Sequence, residues 1–140
     1  GFGLIHTIGR VTPEAVDPWI RKRVFPGTYV PSLAELMAVF EPNGLAVTDV
    51  ENLRPHYART LALWLCNFER QRGALSKRLD ASFLRLWELY LAGSCAACEA
   101  GRMQLYQVAF TSPANRKAPW TRERLYEPDS RTWEWTAAMC

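Results

Sequence analysis

The chain has 140 residues, 49% of them hydrophobic and 12% aromatic. A chain of this size buries roughly two-thirds of the surface that its unfolded form exposes, so the composition predicts a packed domain, or part of one, and argues against disorder. The net charge of +3 falls far short of a nucleic-acid footprint. The longest uncharged stretch of the central apolar segments, Leu89–Cys98, is ten residues, against the ~18 to 20 of a membrane span. No basic region followed by an apolar one opens the chain, which predicts a cytosolic protein whose Cys66, Cys95, Cys98 and Cys140 are reduced thiols.

In chain order, Leu4–Ile8 is a short apolar run beside Gly9 and predicts a buried strand. A chain that begins inside such a strand is expected to have lost its front. Val11–Ile20 is punctuated by Pro13 and Pro18 and predicts a loop. Ser32 with Glu35 three residues on has the spacing of a capping box. Leu33, Leu36, Met37 and Phe40 then fall on one helical face, which Pro42-Asn43-Gly44 ends. Residues 45–53 predict a second strand. After Pro55, Leu61, Trp64, Leu65 and Phe68 repeat the helical stripe. Another helix is expected from about Ala81, with Phe83, Trp87, Tyr90, Leu91, Ser94 and Cys98 on one side and Gly101 at its end. Residues 103–111 predict a third strand. Residues 112–140 change to Pro, Arg, Trp and Glu without a period, and predict an irregular tail. The expected fold class is α/β, with about three strands and three main helices. Three strands are few for an independent sheet, so the pattern predicts part of a larger one.

Four features carry candidate chemistry. His6, on an apolar strand, is either a satisfied core histidine or a site residue at a strand end, where open α/β sheets bind ligands. His56-Tyr57 is either a plain helix start or an anion site at a helix N-terminus, with the tyrosine hydroxyl as a further donor. Cys95-Ala-Ala-Cys98 lies in mid-helix without a second cysteine pair or a nearby histidine, so packing thiols are expected and no metal site. Arg21-Lys22-Arg23 is a solvated patch or, beside Trp19, Ile20 and Phe25, a membrane-surface contact.

Taken together, these segments resemble the C-terminal part of the cyclopropane-fatty-acyl-phospholipid synthases, the mycolic acid cyclopropane synthases and related fatty-acyl methyltransferases. The elements that carry the resemblance are Leu4-Ile-His-Thr-Ile-Gly9, Asp17-Pro-Trp-Ile20, Phe25-Pro-Gly27, Pro31-Ser32, Leu53-Arg-Pro-His-Tyr57, Thr60-Leu61, Trp64, Phe68, Arg85, Trp87-Glu-Leu-Tyr-Leu91 and Gln104-Leu-Tyr-Gln107. Their order and spacing hold from about residue 3 to 111. Ala118-Pro-Trp-Thr-Arg122 and Leu125-Tyr126 are similar to the family's ending.

The resemblance implies that residues 1–111 are the C-terminal portion of a seven-stranded, Rossmann-like S-adenosylmethionine-dependent methyltransferase domain, and that 112–140 form a tail. It implies methyl addition to a cis double bond of a phospholipid acyl chain, through a carbocation, with bound bicarbonate as the base. His6 and Tyr57 align with the family's bicarbonate-binding histidine and tyrosine, and Ile8 with a residue whose backbone meets that ion. Trp87, Tyr90 and Ser94 become acyl-tunnel candidates, with aromatic faces suited to a cation. Trp19, Arg21, Lys22 and Arg23 become membrane-surface candidates, which places the protein in the cytoplasm at the inner face of the membrane. The family's loop for S-adenosylmethionine lies upstream of the matching region, so the expectation is a fragment that is inactive alone. Two rivals follow: a fatty-acyl methyltransferase with a branched product, and a non-catalytic half-domain that associates with itself. No nucleic-acid partner is expected.

Overall fold

A computed structural model describes residues 1–117 and Arg122. These described residues form three strands and four helices: β1 (Phe2–Gly9), α1 (Pro18–Arg23), α2 (Leu33–Met37), β2 (Ala46–Asn52), α3 (Arg54–Leu75), α4 (Ala81–Glu99) and β3 (Gln104–Thr111), with a 3-10 turn at Glu41–Asn43 before β2. The sheet order is β1-β3-β2, and both outer strands run antiparallel to β3.

The register sorts the side chains by face. Ile5 and Val50 both stand opposite Val108, and this row packs with Phe40 and Tyr106 beneath Leu33, Leu36 and Met37. The other face carries Leu4 opposite Ala109, His6 opposite Gln107, and Ile8 opposite Leu105. There β1 departs from expectation. It is an edge strand bare on one side, with Leu4 61% exposed, because only its Ile5 side faces the α2 layer.

Helices α3 and α4 form a hairpin that closes on Leu61, Phe68, Leu84, Leu91 and Cys98. Each start has a local cause. Pro55 stands in the first turn of α3, where its missing N–H costs nothing. Asp80 caps α4 by accepting from the N–H groups of Ser82 and Phe83, each at 2.9 Å. The Ser32–Glu35 capping box forms as its spacing predicts.

Three more expectations are corrected. The segment read as a loop contains α1, because Asp17 caps it and Pro18 takes the first helical position. The helix after Ser32 stops at Met37, yet Phe40 still reaches the core. Cys95 and Cys98 are free thiols, whereas Cys66 is disulfide-bonded, unlike the reduced thiol expected. Most of the expected tail lies outside the described residues. Arg122 does not: its guanidinium grips the Asp49 carboxylate of β2, with Nη2 donating to Oδ1 at 2.7 Å.

Candidate functional site

A cavity of about 770 Å³ opens between the 14–30 segment and α4, with Ile8 of β1 and Met103 in its wall. Gly93, Ser94 and Ala97 line it. These small side chains share one face of α4 at one-turn spacing, which leaves room where Leu or Phe would fill it. The opposing wall comes from Trp19, Ile20 and Phe25. One end is charged: Arg10 donates to Glu14 at 2.8 Å, and Arg102 lies 3.9 Å from the same carboxylate. The space is therefore mostly apolar with charged groups in its lining, a character suited to an acyl chain.

An aromatic ladder runs along the α4 wall. Phe83 stacks on Trp87 at 6.2 Å, Trp87 tilts on Tyr90 at 5.2 Å, and Tyr90 meets the edge of Phe25 at 5.4 Å. Of the expected tunnel residues, Tyr90 and Ser94 face the cavity, while Trp87 supports Tyr90 from behind. Trp19, partly buried, also lines the cavity.

Tyr57, in the first turns of α3, is half-buried against the hairpin core, its ring edge on Trp64 at 6.3 Å. Burial pushes its hydroxyl above the ordinary value, and the neighbouring Tyr90 and Cys98 push the same way. Among the described residues this hydroxyl makes no hydrogen bond.

His6 is exposed on the open sheet face, in a cross-strand row with Gln107 and Glu51. The Gln107 amide Nε2 lies 3.1 Å from His6 Nδ1. This contact holds the ring through Nδ1 and leaves Nε2 without a partner among the described residues. Ile8 lies two residues along the same face, opposite Leu105, and the Leu105 carbonyl accepts from Leu53 N–H at 2.7 Å. Leu53 precedes α3, so this end of the sheet face and the first turn of α3 adjoin. Of His6, Ile8 and Tyr57, Ile8 lines the cavity, whereas His6 lies on the exposed sheet face and Tyr57 packs against the hairpin core.

Residues 1–108 match the family model described as mycolic acid cyclopropane synthetase. The chain belongs to that family. It is 38% identical over 129 residues to a probable fatty acid methyltransferase of Pseudomonas putida, an alignment that spans 90% of this chain and 33% of that protein. It is 33% identical over 112 residues to the cyclopropane-fatty-acyl-phospholipid synthase of Escherichia coli K12, across 79% of this chain and 29% of that one. The chain thus spans about a third of the length of these curated relatives. Among solved structures, mycolic acid cyclopropane synthase CmaA1 complexed with SAH and CTAB superposes with a TM-score of 0.72 at 27% identity, covering 79% of this chain and 44% of that one. The α/β fold expected for a portion of this methyltransferase family is present.

The cavity was only partly foreseen. Gly93 and Ala97 announce themselves through small-residue spacing that an apolar stripe hides. Arg10, Glu14 and Arg102 come together only through the return of β3 beside β1, which no local pattern reveals.

Proposed function

We propose that the chain forms the acyl-binding side of an S-adenosylmethionine-dependent methyltransferase acting on the cis double bond of a fatty acyl chain. The observation that carries this reading is the apolar, aromatic-walled cavity along α4 in a member of this family. The donor supplies an electrophilic methyl group when bound, and no described residue is assigned to hold it.

This chain's own residues act on the acyl side. Ser94, Gly93 and Ala97 make space for the chain, and Tyr90, braced by Trp87, offers an electron-rich face where positive charge develops on the acyl carbons. The His6 imidazole, the unengaged Tyr57 hydroxyl and the Ile8 backbone are the groups that the family resemblance assigns to an anion. They suit a small oxyanion, and bicarbonate held there would supply the general base. A lipid substrate also agrees with the net positive charge.

Likeness to the Pseudomonas putida fatty acid methyltransferase favours a second reading, a branched rather than cyclopropane product. Both are tested by incubating the protein, in its full natural length, with S-adenosylmethionine and vesicles of a monounsaturated phosphatidylglycerol. Mass spectrometry then reads the gain of one methylene in the acyl chain, and catalytic hydrogenation separates a ring from a methyl branch. No gain under saturating donor contradicts the reading.

A further inference from the structure

We infer that Arg10 and Arg102 hold a phosphate group beside the α4 cavity, so that the substrate is an acyl chain joined to a phosphate ester. The inference rests on the acyl-chain reading of the cavity and names the class of molecule that carries the chain.

Arg10, Glu14 and Arg102 line the large cavity and also a second, smaller one of about 240 Å³, which Val11, Thr12 and Gly101 complete. The two spaces therefore share one charged wall. The smaller space exceeds what a carboxylate fills and takes a phosphate with its ester group.

The backbone places each arginine. Arg10 extends β1: its N–H donates to the Pro31 carbonyl at 2.9 Å, and its own carbonyl accepts from the Tyr106 hydroxyl at 3.3 Å. Its side chain is only 18% exposed. Arg102 follows Gly101, whose φ of 74° turns the chain out of α4, and its N–H donates to the Ala97 carbonyl at 2.9 Å. Its side chain is 76% exposed, and its guanidinium makes no hydrogen bond among the described residues.

The charge of this wall is unbalanced. Glu14 is the acid that the two arginines share: Arg10 donates to it at 2.8 Å, whereas Arg102 stands at 3.9 Å, beyond hydrogen-bond reach. Two cations face one carboxylate, which leaves one positive charge, the complement of a phosphodiester. Guanidinium forks match phosphate oxygens, and Thr12 lines the same space with a hydroxyl. The carbonyls that end α4 would repel an anion, but they are already engaged. Ala97 accepts from the N–H groups of Arg102 and Met103, and Cys98 and Glu99 accept from Arg54.

Isothermal titration calorimetry without any methyl donor tests this, with inorganic phosphate, glycerol phosphate, decanoylglycerol and decanoylglycerol phosphate as probes. Decanoylglycerol phosphate should bind at least tenfold more tightly than each of the others. Arg102→Gln and Arg10→Gln should each weaken its binding about tenfold and leave decanoylglycerol unchanged. Glu14→Gln should instead tighten it severalfold by removing the competing carboxylate, an effect that loss of a merely structural ion pair would not produce. Circular dichroism should show all three variants folded, because exposed ion pairs add little stability. Equal affinity for decanoylglycerol with and without its phosphate overturns the proposal, as does an Arg102→Gln variant that binds both as the wild type does. Glycerol phosphate binding that needs both arginines and gains nothing from the acyl chain would leave the phosphate site standing and sink the acyl-chain reading.

Discussion

Arg54, in the first turn of α3, donates from Nη1 to the carbonyl oxygens of Cys98 at 2.9 Å and Glu99 at 3.3 Å. The start of one helix thereby holds the end of its neighbour. The last carbonyls of α4 lack intrahelical donors, and a guanidinium there both bonds them and complements the helix dipole. Tyr57 lies three residues after Arg54, and both Tyr57 and Tyr90 pack against the hairpin core that this contact ties together. Arg54→Ala is expected to cost about 1–3 kcal/mol, the range for a charge-assisted hydrogen bond, and Arg54→Lys should recover part of it. Urea unfolding reads both.

Gly9 and Gly3 admit aromatic rings from β3. A Cβ at Gly9 would lie 2.4 Å from Tyr106 Cε2 and 3.2 Å from the Pro31 carbonyl, and one at Gly3 would lie 2.2 Å from Phe110 Cζ. Tyr106 is buried, whereas Phe110 is partly exposed and has room to turn. Gly9→Ala should therefore destabilise by about 1–3 kcal/mol through overpacking, and Gly3→Ala by less. Thermal unfolding of the two variants gives the order.

These positions show what was legible in the sequence. Capping residues and helical stripes act within one turn, so the Ser32–Glu35 box and the buried Leu61 and Phe68 could be read directly. Pro18 misled because the same residue breaks a loop or starts a helix, and only Asp17 before it decides. Leu4 misled because apolar character does not say which face of a strand is covered. The cavity was the least legible feature. It depends on missing volume at Gly93 and Ala97, and on charges brought together by the pairing of β1 with β3.

Cys98 gives a pH-dependent signature. Burial, reinforced by Cys95, pushes its thiol up to about 11 from 9.0. The native state keeps this proton after the unfolded state has lost it. The resulting stability is fully present below about pH 9 and is lost as pH rises to about 11. A Cys98→Ala variant should show a shallower loss of stability across that window. Iodoacetamide should leave native Cys98 unmodified at neutral pH.

His6 and Tyr57 make a separable pair under the proposed function. Tyr57→Phe removes only a hydroxyl that bonds no described residue, so folding should be unchanged while turnover falls about 10²–10⁴-fold, the range for a general acid–base contribution. His6→Gln should fall similarly and respond less to added bicarbonate. Steady-state rates at several bicarbonate concentrations read both effects. Equal bicarbonate response in wild type and variants would remove these residues from the site.

The central claim is that the cavity along α4 holds an acyl chain, and Gly93 tests it most directly. A Cβ at Gly93 meets nothing within 4 Å, so Gly93→Phe should fill the cavity without straining the helix. Trp19 lies in the opposing wall and reports occupancy by quenching with a brominated fatty acid. Saturable quenching in the wild type, abolished in a folded Gly93→Phe variant, is the predicted result. Quenching that persists unchanged in that variant would contradict the account.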